Sequence, residues 1–432
     1  MIVKIKKSEN KLLLIVYLVV FLYLIFQPAI YSPDTRSYLE AMPYRHLGYV
    51  IFIKCFDLFF SGKVFDVLVI AFQAIFGLLA TFVFYTKISK LITFNLITKI
   101  GLFIFLLFPF FPPLEVANNI CPEGLSYPLY LLFVAFGIDF FFTNTKSFKY
   151  FIVVFLLLAL TRGQFIIAIV PIAFMYILKH KKILFKKPHL NRFIVLLLLP
   201  IVVLLADKSY HKLKDDIFMS TPFSFVNIST AAFYVSKKSD SNQLTGNDKK
   251  VFDICYNKLD KQKLLLTNQK EGSYKDYYSF FHNHIPNICN RTVHYYGRAF
   301  FLKDELSNST HLEIAQAHLS IENTLRNISF SLINQNFNKW LNLFFANLIH
   351  AFNGIVILII IVTVFLLSLI KLFTSNNNNY YLLFMLSALI LSNTLLVCIA
   401  SHSIIRYLFY NYALYFLIFI IVFKQIKHGI KH

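Results

Sequence analysis

The sequence predicts an all-α polytopic membrane protein of about ten transmembrane helices, within a range of nine to twelve, with a small, mostly helical extracytoplasmic domain. Three observations lead there. The chain is 57% hydrophobic and only 15% charged, where soluble domains carry about 25% charged residues. Apolar runs approaching the ~20 residues needed to cross hydrocarbon recur along it. Its basic residues gather in the short loops between those runs.

Taken in order, the crossings fall near 12–30, 64–86, 98–113, 124–142, 148–161, 163–179, 192–206, 347–371, 380–400 and 405–424. The first is long, lacks a small-residue cleavage site and is followed by similar runs, so it reads as a retained anchor. The pair 148–161 and 163–179 is broken at "LTRGQF", either as two short helices meeting at Arg162 or as one long helix. The stretch 47–60 holds Lys54 and Asp57 in an apolar run too short to span, and is placed flat in the interface. The organisation is a transmembrane module at 1–206 with a first outer loop at 31–63, a soluble region at 207–340, and C-terminal transmembrane helices at 341–432. In 207–340, stretches such as "DKKVFDICYNKLDKQKLLL" have helical apolar spacing.

The basic start "MIVKIKKSENK", the loops "TKISK", "NTKSFK" and "KHKKILFKKPHLNR", and the tail "KQIKHGIKH" put both termini and these loops in the cytoplasm. The net charge of +21 is thereby topology control, and a nucleic-acid partner is not expected. Phe, Ile, Lys and Asn bias suggests an AT-rich, bacterial genome, hence an inner-membrane protein whose outer side is periplasmic. The five cysteines contain no C-x-x-C pair, so zinc and redox motifs are not expected. Cys255 and Cys289 could pair if their region faces an oxidising compartment.

Charges on the other face are the candidate site residues. In "YSPDTRSYLEAMPYRHLGYVIF", Ser32, Pro33 and Asp34 resemble a helix start, and Ser37 to Glu40 a capping box. A carboxylate beside the membrane is equally placed to take a proton from a hydroxyl. Glu123, in "CPEGLSYPLY", is either a helix-start acid or a second carboxylate facing Asp34. Glu115 reads more simply as structural. Arg162 on the face that the positive-inside pattern disfavours invites an anionic partner, and its guanidinium fork matches phosphate. His402 and Arg406 in "ASHSIIRY" follow the same argument, and Arg45, His46 and Lys54 could complete a basic ring. Asp139, near "FFTNTK", is expected to pair locally with Lys146 or to be exposed.

The order of these motifs resembles the GT-C superfamily of integral-membrane glycosyltransferases, closest to the protein O-mannosyltransferase and aminoarabinose transferase branch. The matching pieces are the first-loop Asp34, an Arg-x-x-Gly-Tyr-like stretch at Arg45, Gly48 and Tyr49, then "CPEGLSYPLYLLF", "LALTRGQFIIAIVP" and "RYLFYNYALYFLIFII". They cover about 10–205 and, more weakly, 380–424. Thr35 stands where mannosyltransferases commonly carry a second acid, and no Pro follows Gly48 and Tyr49. The resemblance implies a GT-C-like fold and an inverting enzyme that moves a sugar from a polyprenyl-phosphate-linked donor to a lipid, glycan or protein acceptor. Asp34 and Glu123 would be catalytic. Arg162, Arg406, His402 and Arg45 would bind the donor phosphate. No cofactor is assigned, and a divalent metal is possible but unsupported. Two rivals remain. An O-antigen ligase or polymerase would use Arg291, His294 and Arg298 in the large loop; a transporter would want paired broken helices.

Overall fold

The computed structural model describes residues 7–302, 309–375 and 377–429; the first and last few residues of the two basic termini lie outside that description. Every regular element among the described residues is a helix. Seven helical stretches are long and apolar enough to cross a membrane: Gly62–Ile88, Glu123–Phe142, Gly163–His180, Lys187–Asp215, Ile355–Thr374, Asn378–Ala400 and Ile405–Lys427. Shorter apolar helices cover Lys11–Phe26 and Leu96–Phe110, where further crossings were expected. This is the pattern of a helical membrane protein.

The chain divides into two compact units. The first takes 1–203, 361–393 and 408–432. It opens with α1 (Lys7–Phe26), the short α2 (Thr35–Leu39), α3 (Leu47–Asp57), α4 (Gly62–Ile88) and α5 (Leu96–Leu107). α6 (Glu123–Phe142) and α7 (Phe148–Thr161) follow. The chain breaks at Arg162, whose backbone is extended, and resumes through a 3-10 turn into α8 (Ile169–His180). Sequence had left one or two helices open here; there are two. α6 is the centre of the unit, packed on α4 and α7 and buried along almost its whole length.

Asp139 on α6 is 1% exposed. It pairs with Lys87 of α4 and accepts from Thr143 and Ser147. The expected Lys146 pairing or exposure is thus wrong: a helix buried on all sides needs its carboxylate neutralised across the bundle.

The second unit takes 204–360 and 394–407, reaching beyond the polar region 207–340. It starts inside α9 (Lys187–Asp215) and continues through α10 (Ser224–Val235), α11 (Gly246–Lys261), α12 (Tyr274–Ile288), α13 (Tyr295–Phe301), α14 (His311–Gln335) and α15 (Phe337–Ala351). Its core joins Phe233, Phe252, Phe281, Ile288, Ile321 and Leu325. Cys255 and Cys289 are free thiols in that core, facing the carbonyls of Val293 and Val226 at 3.9 and 3.8 Å. Burial pushes the Cys255 thiol up to about 12 and Cys289 to about 11. The possible pairing of these cysteines is not made.

The expected crossing at 347–371 is two helices. α15 ends at Ala351, and α16 (Ile355–Thr374) begins after a turn in which Asn353 and Gly354 have φ of 52° and 130°. Their N–H groups return to His350 and Ile349 carbonyls, a helix stop built on left-handed residues. α17 (Asn378–Ala400), α18 (Ile405–Leu408) and α19 (Tyr412–Gly429) complete the chain.

Candidate active site

The first unit stitches two loops together before placing any charge. Ile30 donates to the Asn118 carbonyl at 2.8 Å, and Ile120 donates to the Ile30 carbonyl at 3.0 Å. The Asn118 amide caps the end of α1 through the Leu24 and Gln27 carbonyls. Gln73 of α4, fully buried, donates to the Ala117 carbonyl at 2.8 Å and accepts from the Tyr49 hydroxyl at 3.2 Å. The segment after α1 and the segment before α6 are therefore held in register.

Asp34 stands at the N-cap position of α2 without capping it through its side chain. α2 begins at Thr35, and the Asp34 side chain caps no helix N–H. Its Oδ1 accepts instead from Arg45 Nη2 at 2.7 Å. The Ser37–Glu40 capping box is also absent. Ser37 Oγ donates to the Asp34 carbonyl and accepts from Arg45 Nε at 2.7 Å, while Glu40 pairs with Arg36. The Arg45 guanidinium, eleven residues from Asp34 and eight from Ser37, takes both groups, the carboxylate because a charge-assisted pair outweighs a bond to a neutral N–H.

Glu123 opens α6 and is 3% exposed. Its carboxylate accepts from Arg162 Nη1. Arg162 also donates to the Tyr410 hydroxyl at 3.2 Å and, through Nε, to Gln164 at 2.9 Å. Gln164 continues to Asn393 at 3.0 Å, and Tyr410 shares a 2.7 Å hydrogen bond with Ser126. Glu123 is thus turned towards Arg162, a positioning arrangement.

The Arg45-x-x-Gly48-Tyr49 stretch has a steric reason. A Cβ on Gly48 would stand 2.7 Å from the Thr161 nitrogen and 2.8 Å from its Cα. A Cβ on Gly163 would stand 2.7 Å from the His46 ring. So the start of α3 lies directly on the Thr161–Gly163 break. Tyr38, 6% exposed, lies beside the first of these ion pairs, its ring under Arg45 at 4.6 Å. Burial raises the Tyr38 phenol's pKa; Arg45 opposes this, Glu123 and Asp34 add to it, and Arg162 opposes it. All four charged groups therefore act on one hydroxyl. Arg45 and Arg162 side chains are 14% and 12% exposed, Asp34 is 34%: the aspartate is the charged group most open to a substrate.

His402 and Arg406 belong to the second unit. There His402 lies against His282 at a ring distance of 5.0 Å, and His282 against His350 at 4.9 Å. Arg406 opens α18, partly buried. Of the basic residues of the large region, His294 is buried against His318, on which the charge of Arg298 also acts, while Arg291 is exposed and donates to Asn287. Among the described residues no three His, Cys, Asp or Glu side chains are grouped to hold a metal ion.

The sequence singled out Asp34, Arg45, Glu123 and Arg162, which the structure joins in two ion pairs, but not Tyr38, Tyr410, Gln164 and Asn393 beside them. Tyr410 carried one signal, a tyrosine-rich "RYLFYNY" after a crossing; the others carried none. No family model, no curated protein and no solved structure matches the chain.

Proposed function

We propose that the chain is an inverting, GT-C-like glycosyltransferase that moves a sugar from a polyprenyl-phosphate-linked donor to an acceptor hydroxyl on the extracytoplasmic face of a membrane. The observation that carries it is the placement of two arginine–carboxylate pairs, one partly open and one buried, around Tyr38 at the α3–Arg162 contact. Buried ion pairs rarely repay their desolvation, so a cluster of this kind favours an anionic ligand over a purely structural role.

In this reading Arg45 and Arg162 face the donor phosphate and stabilise the charge that develops as the leaving group departs. Asp34 accepts the acceptor's proton. The acceptor oxygen attacks the anomeric carbon on the side opposite the phosphate, the C–O bond to phosphate breaks, and polyprenyl phosphate leaves. Glu123 and Tyr410 hold Arg162 in place rather than touching the sugar.

The test uses the purified chain in proteoliposomes with a panel of radiolabelled polyprenyl-phosphate sugars and membrane extract as acceptor source. Transfer is expected from one donor, and Asp34→Asn should lower it ~10²–10⁴-fold with normal protein yield. Equal transfer by wild type and Asp34→Asn, or no transfer and no binding of undecaprenyl phosphate, sinks the proposal.

A further inference from the structure

α2 and α3 bring two tyrosines together edge to face. The rings of Tyr38 and Tyr49 are 5.2 Å apart, with planes at 88°. Their hydroxyls fare differently. Tyr49, fully buried, donates to Gln73 at 3.2 Å. Other buried tyrosines of the unit are partnered in the same way: Tyr127 donates to the Leu106 carbonyl, and Tyr410 shares a hydrogen bond with Ser126. Tyr38 is 6% exposed, yet its hydroxyl makes no hydrogen bond to any described residue. Its ring is nonetheless held on two sides, by Arg45 at 4.6 Å and by Tyr49.

An unpartnered phenol in a packed interior is less stable than the phenylalanine that would fill the same space. Tyr130 shares the defect, but its hydroxyl is sealed from solvent. That of Tyr38 is not sealed, so it opens on space that a ligand atom can enter. The charges of Arg45, Glu123, Asp34 and Arg162 all act on it. Burial raises its pKa, so near neutral pH it keeps its proton and can donate it in a hydrogen bond. A pinned donor without an acceptor, beside one guanidinium and within the field of a second, suits an anion with several acceptor oxygens.

We infer that the Tyr38 hydroxyl donates a hydrogen bond to the phosphate of the lipid-linked substrate, beside the Arg45 guanidinium. The inference rests on the proposed reading of this site, and adds to it a neutral ligand contact that no charge pattern in the sequence marks.

Tyr38→Phe removes the hydroxyl and nothing else. The purified full chain in detergent is titrated with undecaprenyl phosphate, with undecaprenol as the same lipid lacking phosphate, and with inorganic phosphate as the same group lacking lipid. Wild type is expected to bind undecaprenyl phosphate more tightly than either. Tyr38→Phe should weaken that binding ~10–100-fold, the worth of a hydrogen bond to a charged group. It should leave undecaprenol binding unchanged and melt no lower than wild type. Tyr49→Phe, which breaks a bond the fold does make, should melt lower. A wild-type preference for undecaprenyl phosphate that Tyr38→Phe keeps in full would overturn the inference and leave the proposed function standing. No wild-type preference over undecaprenol would overturn both. Inorganic phosphate bound as tightly as the lipid would assign the contact to a free anion and overturn the inference. So would a lower melting temperature of ligand-free Tyr38→Phe, since the hydroxyl would then have its partner within the fold.

Discussion

Gly48→Ala isolates the contact on which the candidate site rests. The added Cβ would meet Thr161 Oγ1, N and Cα at 2.6, 2.7 and 2.8 Å, where ordinary contact begins at 3.4 Å. Two of the three atoms are backbone, so α3 must retreat by about 0.6–0.8 Å from the Arg162 break. Overpacking of this kind costs ~1–3 kcal/mol, read as a melting-temperature fall of about 2–10 °C in detergent. Gly163→Ala is the internal control. Its Cβ meets only the His46 ring, at 2.7 Å, and a ring can turn away. His46→Ala should therefore restore most of the Gly163→Ala loss, while it leaves Gly48→Ala unrelieved. If transfer activity is available, Gly48→Ala should lower it by ~10-fold or more, since a shift near 1 Å between reacting groups costs up to ~10²-fold. Gly48→Ala with wild-type melting would refute the close approach. So would a Gly163→Ala loss that His46→Ala does not relieve.

Two further outcomes are expected. Glu123→Ala strands a buried guanidinium and should cost ~3–5 kcal/mol, while Glu123→Ala/Arg162→Met should recover much of it; fluorescence-detected size-exclusion melting curves decide, and equal losses in both variants would show that the pair is not coupled. Burial holds His402 down at about 4, with His282 and His350 adding to the effect, while an unfolded histidine titrates near 6.5. The unfolded chain thus binds more protons between those values, so stability should fall as pH drops from about 6.5 towards 4, by on the order of 3 kcal/mol from this residue. The other titratable side chains against the cluster are Tyr278, Cys398 and Tyr407. His402→Gln should flatten melting temperature against pH in that window, and an unchanged slope would exclude His402 as its source.

What sequence could show was set by distance along the chain. The break at Arg162 was visible because a charge between two apolar runs forces it. The Asp34–Arg45 pair was half visible: both residues stood out, but the local capping rules assigned Asp34 and Ser37 to α2, and a guanidinium eleven and eight residues away took both. Asp139 was misassigned because its partner Lys87 lies fifty-two residues upstream and no periodicity links them. The stop at Asn353–Gly354 lay within one continuous apolar run, where composition could not separate a helix lying on the second unit's core from one entering hydrocarbon. Tyr410 and Asn393 are 248 and 229 residues from their partners, which only packing can reveal.

That last pair of distances bears on why the cluster exists. Arg162 is met by Glu123 from α6, by Tyr410 from the turn before α19, and through Gln164 by Asn393 of α17. A bundle that needed only stability would gain as much from apolar packing there, because a satisfied buried ion pair is worth no more than well-fitted hydrocarbon. What the polar network supplies is direction. Arg162 has an extended backbone and follows directly on the close approach of Gly48, so its position is fixed by backbone contact and its orientation by three separate elements. Arg45 is fixed likewise, by Asp34, Ser37 and the rings of Tyr38 and Tyr44. In the proposed reading, two guanidinium groups held this rigidly by their carboxylates would form a preorganised site for a phosphate, and preorganisation rather than charge alone is what lowers a barrier.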